Sequence, residues 1–270
     1  MERPAWAPRS IDISVPSVSR MYDYYLGGSH NFEVDREAAR KAMEFLPGLP
    51  KIMQANRAFL RRAVRFAAGQ GIDQFLDIGS GIPTFGNVHE IAQEARPGAH
   101  VVYVDHDPVA VAHSRSVLEG NADADVVAAD LRKPQEILTS PEVARLIDLD
   151  RPVALLLVAV LHFLEDTDEP HRAVAELRAA LPPGSLLILT HASYEGIPLP
   201  EERAEGAVDV YRDIRTPLVM RPREEIARFF DGFELLDPGL VHLPDWRPES
   251  APEDEDDFAF SGYAGVGRTA

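Results

Sequence analysis

Three observations predict a doubly wound α/β fold for this 270-residue chain. Short apolar runs alternate with amphipathic helical segments from Asp73 to Thr190. One run, VALLLVAV from Val153 to Val160, is apolar throughout, as a central parallel strand covered on both faces requires. Another, ending in Phe75-Leu76-Asp77-Ile78, leads straight into Gly79-Ser80-Gly81, a strand-to-helix turn that lets a ligand lie against bare backbone. The expectation is a seven-stranded, mostly parallel sheet with right-handed crossovers, preceded by a helical cap.

The cap comes first. Residues 1–13 are Pro-rich and predict no regular element. Val18, Met21, Tyr22, Tyr25 and Leu26 fall at helical spacing, with Ser14 or Ser17 as cap and Gly27-Gly28 as terminator. A second helix is expected over 34–45, on the stripe Val34, Ala38, Ala42, Phe45, and PGLP at 47–50 breaks it. A third runs over 51–68 with Ile52, Phe59, Ala63 and Phe66 inward. Strands are then predicted at 73–78, 100–104, 125–128, 153–158 and 185–190, with helices at 85–96, 108–119, 134–147 and 169–181. After the fifth strand comes a polar excursion, 191–221, long enough to form a lid or binding loop, with a short helix at 201–213. A last helix is expected over 223–230, and two last strands over 233–241 and 258–269. The acidic run Glu249 to Asp257 between them reads as a solvated loop. No linker divides the chain, so the expectation is one domain over 1–270: cap 1–70, core 71–270, insertion 191–221.

Composition narrows the function. There is no cysteine, which excludes disulfides, Cys-ligated metal and a Cys nucleophile. With 27 Lys and Arg against 44 Asp and Glu the net charge is −17, which argues against nucleic acid or an anionic membrane as partner. No apolar run is long enough to span a bilayer, and no secretory leader opens the chain, so a cytoplasmic location is expected. No His, Asp and Glu spacing reads as a metal site.

Four signals carry chemistry, each at a strand's carboxyl end. The first is the turn Gly79, Ser80, Gly81. A dinucleotide fingerprint needs a third glycine, and Thr84 stands in its place. Asp77 sharpens the reading, because a carboxylate there repels a pyrophosphate but suits a ligand that is cationic at that point. The plainer alternative makes Asp77 a cap for the turn. The second is Asp105, which is placed to accept from both ribose hydroxyls of an adenosine, with His106 beside the adenine and Asp107 capping the helix at Pro108. The third is Asp130 with Leu131, an acceptor and an apolar edge for adenine, unless Asp130 caps the helix near Pro134. The fourth is small Ala159, with His162 just past the strand end, either a proton acceptor or a packed histidine.

Four such signals in this order resemble the class I S-adenosylmethionine-dependent methyltransferases. SVSRMYDYYLGGSHNFEVDREAA, DIGSGIPTFGNVHEIAQ and FFDGFELLDPGLVHLPDWRP resemble, more narrowly, an actinobacterial family once of uncharacterised function and now grouped as S-adenosyl methyltransferases. That resemblance implies a Rossmann-like sheet with an antiparallel last strand, S-adenosylmethionine as cofactor and S-adenosylhomocysteine as product. It also implies that the segment YDYYLGGSHNF folds over the cofactor. Tyr22, Tyr24 and Tyr25 offer ring faces to a sulfonium, Gly28 allows close backbone approach, and Asn31 can bond the methionine end. Tyr22 and Tyr25 are equally explained as the apolar stripe of their helix. Pro83 departs from the wider superfamily, where many members have a third glycine.

Methyl transfer from a sulfonium needs mainly proximity and orientation, so no obligatory triad is expected. His162, Tyr194 and Tyr211 are the candidate catalytic residues, with His191 also on the acceptor side. Arg215, Arg221 and Arg223 either hold an acidic acceptor or pair with the chain's many acids. The expected activity is methyl transfer to a small molecule. A non-catalytic binder of the same cofactor and an NAD(P)-dependent oxidoreductase are the alternatives. The acceptor and the oligomeric state are not set by the sequence.

Overall fold

The computed structural model describes residues 12–83, 86–214, 216–249 and 257–270. Three helices open it: α1 (Val18–Tyr25), α2 (Glu33–Phe45) and α3 (Leu49–Gly69). The core then alternates: β1 (Gln74–Ile78), α4 (Val88–Ala95), β2 (His100–Asp105), α5 (Pro108–Val117), β3 (Ala124–Ala128), α6 (Pro134–Leu138), α7 (Pro141–Leu146), β4 (Ala154–Val158), α8 (Pro170–Ala179) and β5 (Leu186–His191). The tail is α9 (Glu201–Asp213), α10 (Arg223–Ala227), β6 (Phe233–Leu235), β7 (Val241–His242) and β8 (Tyr263–Thr269).

The sheet order is β3-β2-β1-β4-β5-β8-β6, with β7 paired to β8. Strands β1 to β5 are parallel, and β8 runs antiparallel to β5, Leu186 facing Arg268 and His191 facing Tyr263. Strand order reverses between β1 and β4. In open α/β sheets that reversal leaves a crevice beyond the strand ends.

Both faces are covered. In β4, Ala154, Leu156 and Val158 join the core beneath α3 and α4, while Leu155 and Leu157 join the opposite core with Ile137, Val143 and Leu177. This two-sided burial is why the strand reads as an unbroken apolar run. The cap makes a third cluster, in which Met21, Tyr25, Ala42 and Leu46 pack on Ala207, Val210 and Tyr211 of α9. The insertion thus closes against the cap.

Two expected elements break. The helix predicted at 134–147 is two helices, because Pro141 lacks an N–H and holds Ser140 extended, where its hydroxyl accepts from Val143 N–H at 3.3 Å. The strand predicted at 233–241 is two strands, because Pro238 cannot donate and Gly239, at φ +89°, turns the chain back through its N–H to Leu236 O at 2.8 Å. Among the described residues the sheet therefore has eight strands. Ser17 stands at the N-cap of α1, but its hydroxyl bonds Asp107 and makes no cap bond. Thr84, Arg215 and most of the acidic run lie outside the described residues, while Glu249 pairs with Arg65 at 2.5 Å.

Trp246 seals α3 onto the sheet. Its ring is fully buried, edge-on to Phe59 at 5.3 Å and Phe66 at 5.6 Å, and Arg62 Nε donates to its carbonyl at 2.9 Å. Its indole N–H has no partner among the described residues. Trp246→Ala is therefore expected to cost about 3–5 kcal/mol in urea unfolding. Trp246→Phe should cost distinctly less, since it keeps the ring and removes an unpaired buried donor.

Candidate functional site

A cleft of about 470 Å³ opens at the carboxyl ends of β1 and β4. Its floor is Asp77 to Gly81 after β1, its sides are Asp105 to Pro108 after β2 and Ala129 to Arg132 after β3, and Val158 to Val160 close the β4 side. The cap supplies the roof: Ser17, Arg20 and Tyr22 from the start of the chain, Asn56 and Arg57 from α3.

Glycine at 79 is a steric requirement. Its φ is +78°, and a Cβ there would stand 2.4 Å from a methyl of Val160. Gly81 is also left-handed at φ +67°, but nothing lies within 4 Å of where its Cβ would stand. Its N–H donates to Asp105 Oδ2 at 2.7 Å, and Asp107 N–H donates to Asp105 Oδ1 at 2.8 Å. Asp105 thereby ties the turn to β2 while keeping a lone pair on each oxygen. Burial pushes its carboxyl up, and those two N–H donors and His106 oppose the rise. His106 itself is largely exposed, 3.7 Å from Asp105. Asp107 caps α5, accepting from Val109 N–H at 2.7 Å.

Asp77 is buried, and burial raises its carboxyl to about 7, with the Arg57 cation working against and the Asp105 charge working with that rise. Ser80 Oγ is buried without a partner among the described residues. Asp130 caps no helix. It accepts from Arg132 Nη2 at 2.6 Å and Nε at 3.0 Å, and although burial works to raise its carboxyl, these bonds hold it below the usual range. Leu131 is buried on the cleft wall.

A hydrogen-bond chain joins roof to floor. Asn56 Nδ2 donates to Tyr22 Oη at 2.9 Å, Thr190 Oγ1 donates to Asn56 Oδ1 at 2.7 Å, and Ala159 N–H donates to Thr190 Oγ1 at 2.8 Å. This holds Ala159 in the left-handed region at φ +57°.

Asp77, Gly79, Ser80, Gly81, Asp105, His106, Asp130, Leu131, Ala159 and Tyr22 thus line one cleft. Gly28 and Asn31 do not. Asn31 Nδ2 donates to Asp23 Oδ2 at 2.7 Å and to Gly28 O at 3.0 Å, closing the loop on itself around buried Asp23. His30 N–H bonds the same carboxylate at 2.9 Å, which accounts for Asp23 lying off the apolar stripe.

A second, smaller space of about 70 Å³ adjoins the cleft and shares Asn56, Ala159 and Phe163 with it. His162, His191, Thr190 and Tyr211 line it, and Tyr194 lines neither space. Tyr211 and Tyr25 bond each other's hydroxyl at 3.2 Å, and burial pushes Tyr211 up to about 12. Burial lowers His162 well below the usual range and His191 to about 3. Arg221 is buried behind His191, 3.0 Å from Nε2, and pairs with Asp166 at 2.7 Å, while Arg223 donates to Leu240 O. Both arginines are engaged in structure.

Arg57 and Asn56 escape the sequence reading for different reasons. Arg57 sits among Arg61, Arg62 and Arg65 on α3, and nothing local separates it from them. Asn56 falls on the buried stripe of α3, between Ile52 and Phe59, and a polar residue there was a usable signal.

The cleft fits S-adenosylmethionine: a buried acid and an unpartnered serine hydroxyl meet at a bare glycine turn, and a carboxylate ends β2. No group of three or more His, Asp or Glu among the described residues is placed to hold a metal ion, and no described helix is long and apolar enough to cross a membrane.

Comparison with known proteins agrees. The solved structure of a "putative methyltransferase" from Thermobifida fusca is 41% identical, with a TM-score of 0.92 over 98% of this chain and 99% of that one. A DUF574 family protein from Streptomyces avermitilis is 37% identical, with a TM-score of 0.90 over 96% and 99%. At 15% identity, the 1,6-didemethyltoxoflavin-N1-methyltransferase of Burkholderia thailandensis, solved with 1,6-didemethyltoxoflavin and S-adenosylhomocysteine, shares the fold at a TM-score of 0.51 over 87% and 89%. A search of curated proteins finds no match. The S-adenosyl methyltransferase family profile matches residues 4–270, and the chain belongs to that family.

Proposed function

We propose that this S-adenosylmethionine-dependent methyltransferase methylates a small molecule enclosed between cap and insertion, and that cap, core and insertion act as one unit over 1–270. The observation that carries this reading is the small space beyond Ala159, lined by α3 and the 191–221 segment and sharing Asn56, Ala159 and Phe163 with the cleft. A space of that size between cap and insertion suits a small acceptor better than a protein side chain or a nucleic acid. Incubation with labelled cofactor and a metabolite pool tests it. Label should appear in small-molecule products, and label found only in protein or nucleic acid would refute the reading.

When bound, S-adenosylmethionine supplies a methyl group already activated by a sulfonium. The chain's own residues then bind and orient. Asp105 accepts from the ribose hydroxyls with its remaining lone pairs. Asp130 and Leu131 edge the adenine and His106 flanks it. Asp77 and Ser80 meet the methionine amino group over the Gly79–Gly81 turn, and Arg57 meets the carboxylate. Tyr22 and Phe163 offer ring faces near the positive charge, each worth roughly 0.5–2 kcal/mol. Ala159, having only a methyl side chain, leaves the passage to the acceptor open.

Three outcomes follow. Asp105→Ala should weaken S-adenosylhomocysteine at least tenfold in calorimetry, about 1.4 kcal/mol for a lost charge-assisted hydrogen bond. Arg57→Ala should weaken S-adenosylhomocysteine by about ten- to a hundredfold. The same change should leave 5′-methylthioadenosine, which lacks the amino and carboxylate groups, unaffected. Asp77 gives a pH dependence. Its folded carboxyl stands near 7, above the ordinary value of 3.8, so its stabilising contribution is complete below about 4 and lost as pH rises through 7. That loss is at most about 4 kcal/mol. An ammonium beside Asp77 favours the carboxylate, so cofactor binding should release a proton and tighten from pH 6 to 8. In Asp77→Asn both pH effects should vanish in calorimetry and urea unfolding.

A further inference from the structure

The small space beyond Ala159 has a definite chemistry. Its walls from the cap, including Leu49, Ile52 and Met53, and from the insertion, including Ile197 and Leu218, are apolar. Most of its polar atoms are already used. His191 donates through Nδ1 to Ala192 O at 2.7 Å and accepts from Arg221 at Nε2. Thr190 and Asn56 are spent on the chain to Ala159 and Tyr22. Tyr211 and Tyr25 share one hydrogen bond between their hydroxyls.

Two groups remain. Ser261 is buried on the wall, and its Oγ has no partner among the described residues. His162 Nδ1 accepts from Ala192 N–H at 3.2 Å, so the neutral ring carries its proton on Nε2, for which the described residues offer no partner. His162 therefore presents a hydrogen-bond donor to the space and not a base. The titratable groups lining the space are His162, His191 and Tyr211. Arg221 and Tyr25 stand behind them, and the carboxylates Asp77 and Asp105 line the cleft and not this space. None of the three lining groups is free to take a proton.

Building on the methyltransferase reading, we propose that the acceptor is an uncharged heteroaromatic compound, methylated on a weakly basic ring nitrogen, with a second polar atom held by His162 Nε2–H and the Ser261 hydroxyl. Neither the apolar space nor the wall it shares with the cleft, Asn56, Ala159 and Phe163, offers a counter-ion or a proton acceptor, which disfavours a carboxylate and an acceptor that must be deprotonated. A weakly basic ring nitrogen enters neutral, with its lone pair free. A cavity of roughly 150 Å³ holds a benzene ring, so about 70 Å³ takes only the substituent. The ring then stands at the shared wall, against Phe163, whose ring is 6.0 Å from that of Tyr211. In the transfer the nitrogen lone pair forms the new N–CH3 bond. The C–S bond breaks with its pair going to sulfur, the positive charge passes to the ring, and no proton moves.

Full-length protein with saturating radiolabelled S-adenosylmethionine should methylate pyridine-3-carboxamide or benzimidazole at least tenfold faster than phenol or benzoate, at a rate flat between pH 7 and 9. His162→Phe should raise KM for the methylated azine or azole at least tenfold, and Ser261→Ala severalfold. Both should leave S-adenosylhomocysteine affinity unchanged. Ser261→Ala keeps the test open should His162→Phe fail to fold. Preference for phenol or benzoate, no binding of either heteroaromatic by saturation-transfer NMR while S-adenosylhomocysteine binds, or an unchanged KM in the folded variants would each overturn the proposal. Failure of S-adenosylhomocysteine itself to bind would instead sink the methyltransferase reading.

Discussion

The turn after β1 passes so close to the end of β4 that only glycine fits at position 79. A Cβ there would meet Val160 at 2.4 Å. The rest of the site depends on that approach. It brings the ends of β1 and β4 together on one side and leaves the crevice of the strand reversal open on the other. The chain leaving β4 passes through Ala159 at φ +57°, a conformation that an alanine holds only when surroundings impose it. Here Thr190, on the neighbouring strand, imposes it through the Ala159 N–H. The same hydroxyl donates to Asn56, and Asn56 to Tyr22, so backbone strain at the sheet is coupled to the position of the cap.

The cap is attached by charge as well as by apolar packing. Arg20 is buried, 3.5 Å from Asp35 on α2 and 3.7 Å from Asp107 at the start of α5, with its guanidinium 5.0 Å from the Phe32 ring centre. Ser17 adds bonds to both carboxylates. Such a cluster contributes little net stability, because desolvation offsets the attraction, but it is strongly sensitive to loss of one partner. Its physical effect is to fix where α1 lies. A purely apolar contact would let the helix slide, and Tyr22 would lose its place over the cleft.

A net charge of −17 disfavours an anionic ligand, yet the methionine end of the cofactor carries a carboxylate. Arg57 supplies a positive charge locally. It lies on the cleft wall and lowers the cost of the Asp77 charge below it. Beyond Ala159 the logic changes. There no charged side chain among the described residues lines the space. One cleft thus passes from a polar, charge-balanced half to an apolar half within a few residues of chain.

By itself the sequence determined the strand–helix alternation, the central place of β4 and the carboxylates at the strand ends, because each depends on a pattern within a few residues. It placed Asp77, Asp105 and Asp130 on a common edge, since parallel strands put all their carboxyl ends on one side. It misjudged the breaks at Pro141 and Pro238, where one residue without an N–H outweighs a run of favourable neighbours. Tertiary structure decided what depends on distant partners. It turned Asn31 inward onto Asp23, engaged Arg221 with His191 and Asp166, and selected Arg57 from four similar arginines. His162 was ambiguous in sequence because its role rests on which nitrogen Ala192 N–H occupies, a contact across 30 residues of chain. Local spacing specifies which groups stand at the sheet's edge. Only packing between segments far apart in sequence specifies which of their atoms remain free for a ligand.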